Sequence, residues 1–319
     1  MSRFVRKSAI LAKIESAYGT DASPAGATDA MLISNLQVNP LNAQNVDRDN
    51  IRTYFGGSEQ LVGTANVEVS FDVEMQSSGA AGTAPAFGPL LRACGLAETI
   101  TASTRVEYNP ITDSMESATI YYYSDGALHK LLGARGSFDI DMSVGARPVF
   151  RFRFIGKDGG ITAASNPALT LTGFKTPAVI TDSNTNDLLI GCTYATGSLS
   201  GGTNYVSRGL ELQSGNDVQF IPLLGSEQVG IVNRAMTGKV ALELTAAQEV
   251  TFMGYVKANT TQSLGLQHGS SAGYISIIYA PKAQLINPVK EDQNGLLLCG
   301  YDLRLVPNAG NDELYLCFK

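Results

Sequence analysis

The tetrapeptide Gly57-Ser58-Glu59-Gln60 recurs as Gly225-Ser226-Glu227-Gln228, displaced by 168 positions in a chain of 319 residues. Four residues alone carry little weight, and their settings carry more. Leu36-Gln37-Val38 precedes the first occurrence and Leu210-Glu211-Leu212 the second; Phe71 to Met75 follows the first and Val240 to Leu244 the second. All four stretches alternate apolar and polar residues, the period of a strand with one face in a core. Each half also closes on an alternating stretch, Val149 to Phe154 in one and Glu313 to Phe318 in the other. A displacement of about half the chain that keeps the order strand, tetrapeptide, strand predicts two tandem copies of one small β-rich domain. Such a copy suits an assembly made of repeated units.

Composition agrees with that reading. At 44% hydrophobic residues the chain can bury two ordinary cores. Charged residues make up only 16%, and 33 glycines with 13 tyrosines and 12 phenylalanines suit β-structure rich in turns better than a helical bundle. A formal net charge of −6 argues against a nucleic-acid-binding surface, which needs clustered Lys and Arg. Cys94, Cys192, Cys299 and Cys317 show no metal-ligand or redox spacing and read as free, partly buried thiols of a reducing cytoplasm. The apolar run Ala9 to Ala12 is too short for an export signal, and no stretch reaches the length of a membrane span.

Residues 1–29 read as an N-terminal arm whose apolar Ile10, Leu11 and Ile14, with Tyr18 beyond them, would dock on a neighbouring subunit. A first domain is expected over 30–158, with strands at Leu32 to Val38, Val67 to Met75, Ala118 to Tyr123, Ser137 to Ser143 and Val149 to Ile155. Gln76 to Phe87 reads as a long exposed loop, and Pro89 to Gly95 as one short helix. Lys157-Asp158-Gly159-Gly160 leads into a linker over 159–176, and a second domain is expected over 177–319, with a helix near Gln248 to Tyr255.

Chemistry is not arranged anywhere in the sequence. His129 and His268 sit in no triad-like motif and read as surface or turn histidines. Asp139 and Asp141 share one face of a strand, where alternation with Phe138, Ile140 and Met142 predicts a solvated sheet face. Asp182 to Asp187 starts like a calcium loop but has Asp187 where Gly is needed and Thr193 where Glu is needed. No catalytic residue, cofactor site or metal site is predicted, and the chain does not read as an enzyme. Tyr121-Tyr122-Tyr123 could form an aromatic platform, which keeps open a second reading: a β-sandwich binding module on a virion surface, recognising carbohydrate or a receptor.

The opening Arg6 to Glu15, followed by Ala17-Tyr18-Gly19-Thr20-Asp21 and Pro24, resembles the major tail tube proteins of long-tailed, siphovirus-like bacteriophages. So do Gly79 to Pro85, Pro89 to Gly95 and Ile231 to Gly238, so that the resemblance covers most of the chain. It implies a mainly β fold of two tandem tail-tube-type β-sandwiches, each with a short flanking α-helix. It also implies rings of three such doubled chains, pseudo-sixfold, stacked helically into a tube in the virion tail, made in the host cytoplasm. The implied partners are the chain itself, tail terminator and tail tip proteins, a tape measure protein in the lumen before ejection, and double-stranded DNA that passes without specific binding; no membrane is implied.

Strand geometry permits such a bore. Six domains giving about four lumen strands each, spaced ~4.8 Å and tilted ~40°, make a barrel about 48 Å across, and side chains leave a channel near 38 Å, wider than a duplex of about 20 Å. Three chains of −6 each would present an acidic ring that repels phosphate, with Asp and Glu on lumen-facing positions mattering for passage.

Overall fold

In the computed structural model, which describes residues 2–319, alternation along the sequence becomes long antiparallel strands. The N-terminal half contains Ser8–Ile14 (β1), Ala30–Met31 (β2), Ser34–Asp47 (β3), Gln60–Glu74 (β4), the helix Gly88–Ala93 (α1), Leu96–Thr101 (β5), Arg105–Pro110 (β6), Ala118–Ser124 (β7), Ala127–Ser143 (β8) and Val149–Ala163 (β9). The C-terminal half contains Leu188–Ala195 (β10), Ser198–Tyr205 (β11), Ser207–Gln213 (β12), Asn216–Leu223 (β13), Ser226–Arg234 (β14), Thr237–Leu242 (β15), the helix Ala246–Lys257 (α2), Thr261–His268 (β16), Ser276–Gln293 (β17), Leu296–Leu305 (β18) and Tyr315–Phe318 (β19). The described residues are therefore mainly β with two helices, as the composition led us to expect.

Hydrogen-bond partners give the same order in both halves. The first runs β2–β1–β7–β8–β9–β4–β3. The second runs β11–β10–β16–β17–β18–β15–β12. In each, the helix follows the strand in the sixth place of that order, β4 or β15. The second half therefore closes on β18 and not, as the alternation of Glu313 to Phe318 suggested, on its last strand. β19 instead lies between β17 and β6 and joins the halves.

The main core is a cluster reaching from Ile10 to Phe318, with two smaller clusters beside it. From Val67 to Val73 of β4 and from Phe150 to Gly156 of β9 every second residue is buried, which stacks Phe152 at 5.8 Å from Phe154 and 5.6 Å from Phe150, with Phe71 6.1 Å away on the neighbouring strand. Phe318 of β19 inserts beside Phe87 at 5.5 Å, so the last strand plugs the core of the first half. Each fully buried Phe contributes roughly 2–3 kcal/mol by leaving water.

Three expectations from sequence need correction. Residues 8–14 are not a free arm: β1 pairs with β2 and β7, because Ala9 to Ala12 find four buried positions in the chain's own sheet. Gln76 to Phe87 is not broadly exposed, since Gln76, Ser77 and Phe87 are buried and Gly79 donates its N–H to the Gly273 carbonyl at 2.9 Å. Lys157 to Gly160 does not open the interdomain passage expected from 159: β9 runs through it to Ala163, paired with β8, and the segment between β9 and β10 is 164–187.

Candidate assembly surface

Eight strands form an uninterrupted wall across the molecule, in the order β3–β4–β9–β8–β12–β15–β18–β17. One face of the wall is core. Strand alternation places polar residues on the other, and cross-strand register sets their neighbours. Arg151 stands between Asp72 on β4 and Asp139 on β8, and Lys239 stands between Glu211 on β12 and Asp302 on β18. Arg151 bonds Asp141, Arg147 reaches Glu74 at 2.6 Å and Arg208 reaches Glu291 at 2.7 Å. Burial pushes the Asp139 carboxyl up from the usual range against the pull of Arg153 and Arg151, whereas in Asp141 hydrogen bonds from Ser143 and Arg151 outweigh burial and hold it down. The solvated sheet face expected for this Asp pair is present, as a mosaic of paired charges instead of a uniformly acidic field.

The two halves of the wall meet between β8 and β12. β8 gives one edge to β9 along most of its length and divides the other: β7 takes Ala127 to Ala134, and β12 takes Asp139 to Ser143. Gly209 is required here, since at φ +119° a Cβ would stand 2.2 Å from the Met142 carbonyl oxygen. Beyond β12, the Ser214 N–H donates to the Phe138 carbonyl at 2.9 Å, and the Asn216 amide donates to the Cys94 and Gly136 carbonyls at 2.7 and 2.9 Å. The β13–β14 hairpin then folds over the first half, where Arg135 donates to the Val229 carbonyl at 2.8 Å and the Val229 N–H donates to the Tyr18 hydroxyl.

Of the residues singled out for inter-subunit contact, Ile10 and Leu11 are 0% and 1% exposed within the single chain, and Ile14 packs partly buried against the same core. Burial in the chain's own sheet leaves Ile10 and Leu11 no surface for a neighbour. Tyr18 is 37% exposed, sits between Arg135 and Lys157, and meets the second half through Val229. Sequence reasoning missed Arg135, Ser214 and Asn216, although the repeated tetrapeptide pointed to the hairpin beside them. His268 is not a surface residue: it lies on β16, 1% exposed, with Nδ1 2.8 Å from the Thr185 hydroxyl. His129 lies within β8 against Tyr122, not in a turn. Tyr121 and Tyr123 are buried in a cluster with Leu11 and Leu128, so they present no aromatic platform. All four cysteines are free and buried.

What projects is apolar in unexpected places. The tip between β3 and β4 leaves Ile51 and Phe55 fully exposed, and the β13–β14 tip does the same with Leu224. Together with unpaired strand edges at both ends of the wall, this defines a structural β-protein built to associate, because such edges and tips are otherwise aggregation hazards. Residues 6–296 match the family described as phage tail tube protein, and the chain belongs to that family. It is a structural component of the virion tail that self-assembles into a tube with other tail components. No curated protein matches the sequence. Among the described residues no helix is long and apolar enough to cross a membrane.

Proposed function

We propose that the chain is an internal duplication whose two β-sandwich copies take adjacent places in a ring, so that three chains close a pseudo-sixfold ring and stacked rings enclose a channel for double-stranded DNA. The observation that carries this reading is the identical seven-strand order of the two halves, joined edge to edge at β8 and β12. A contact between sister copies is thus already built into one chain. Eight wall strands per chain is also the number that four per domain requires for a bore near 38 Å by strand spacing and tilt. Towards that bore the wall turns its polar face. Arg147, Arg151 and Arg208 are engaged by carboxylates, Lys239 stands between Glu211 and Asp302, and the net charge of −6 per chain keeps the mean field repulsive.

The exposed tips at Ile51, Phe55 and Leu224 suit contact with the next ring. A tape measure protein would occupy the bore before ejection, and terminator and tip proteins would cover the end rings. The chain acts by geometry, with no enzymatic step. Negative-stain electron microscopy of the purified chain tests the reading, with native mass spectrometry of detached rings. Hollow tubes, and rings of three times 33.7 kDa, are expected. Solitary particles without a bore at every concentration would overturn it.

A further inference from the structure

Each strand of the β8–β12 seam has a counterpart that lacks a partner. β12 pairs with β15 on one side and β8 on the other, whereas β3, in the matching place beside β4, pairs with β4 alone. The match is close in detail. Both strands carry a register shift at their start, with a positive-φ residue in it, Gly209 at 119° and Asn35 at 53°. Leu210 and Leu212 then correspond to Leu36 and Val38. On the other side, Asp139 to Asp141 of β8 is paired on both edges and Met142 and Ser143 continue the pairing with β12, while the corresponding Val289 to Gln293 of β17 pairs only with β18.

Exposure differs between the copies as a missing neighbour would make it differ. Val229 and Leu61 each directly follow the repeated tetrapeptide; Val229, lying on the first half, is 0% exposed, and Leu61 is 54% exposed. Leu210 and Leu212 are 1% and 3% exposed, while Leu36 and Val38 are only partly buried. Val289 and Leu297 stand 52% and 56% exposed beside the open edge of β17.

We infer that β3 of one chain pairs antiparallel with Val289 to Asp292 of β17 in a second copy of the chain, in the register that β12 and β8 hold within it. Gln37 then stands opposite Glu291, as Glu211 stands opposite Asp141, and the β3–β4 hairpin lies over the neighbour's C-terminal half as β13–β14 lies over its own N-terminal half. The outermost pair is not carried over, because Asn35 has a Cβ where Gly209 approaches the Met142 carbonyl. This inference rests on the ring proposed above and adds which edges close it.

Hydrogen–deuterium exchange on the unaltered protein tests it, comparing assembled tubes with chain held below its polymerising concentration. Amides in 36–39 and 289–292 should exchange at least about tenfold more slowly in tubes, with Asp139 to Ser143 unchanged. Gln37→Cys with Glu291→Cys in one chain should give, on oxidation of tubes, a covalent ladder ending at three chains, which either single variant lacks. Tubes with unchanged exchange in both segments would overturn the seam and leave the tube reading standing. Failure of the unaltered chain to form any ring or tube would overturn both.

Discussion

Arg234 ends β14 and reaches Glu313 at 2.5 Å and the Ile111 carbonyl at 3.0 Å, binding the second hairpin to the loop after β6 and to the segment before β19. The ion pair is nearly buried, with 12% and 8% of the two side chains exposed, so removing one partner strands the other charge. Arg234→Ala should lower unfolding stability by about 3–5 kcal/mol, while Arg234→Met with Glu313→Leu together should cost much less, as read from denaturant titrations of unassembled chain. His268 has the opposite electrostatic character. Burial holds its pKa below the ordinary value, and burial, helped by Arg3, does the same for His129. Below about pH 6.5 the unfolded chain therefore takes up protons that the folded chain resists, and stability falls with pH until the lowered folded-state values are passed. His268→Gln should flatten the decline in melting temperature between pH 7 and pH 5; an unchanged slope would show that His268 does not contribute. Neither residue was legible in the sequence, because each owes its role to partners tens of residues away.

At the scale of elements, α2 is set by local chemistry. Thr245 and Gln248 form a capping box, the Thr245 N–H donating to Gln248 Oε1 at 2.8 Å, and Phe252 packs 5.1 Å from Tyr205. Thr245→Ala should cost about 1 kcal/mol and Thr245→Ser little, measured by thermal unfolding. Local chemistry of this kind is what the sequence made readable: the alternation of β4, β7 and β9, the helix opened by Pro89, and the helix around Gln248. Where a partner overrides local preference the reading failed. Gly159 and Gly160 look like part of a linker, yet they form a bulge inside β9 between the Asp158–Leu131 and Ile161–His129 pairs with β8, and the Gly/Ala/Pro stretch after Met75 is drawn inward by contacts such as Gly79 with Gly273. Likewise Ser8–Ile14 looks like a tail only while β7, more than a hundred residues away, is out of view.

For the whole molecule, one repeated tetrapeptide disclosed more than any composition figure, since it marks the same place before the strand beside β9 and the strand beside β18. Alternation gave the polar face of the wall but not which edges meet, because a strand has the same period whether or not its edge is covered. The central claim is that two like halves of one chain stand beside each other as successive chains do around the ring. A cryo-electron microscopy map of the assembled tube, at a resolution that traces strands, tests it most directly. Three chains per ring are expected, with a closed wall in which β8–β12 contacts within chains alternate with β17–β3 contacts between them. Six chains in the ring, or a wall in which β3 keeps an open edge, would contradict it.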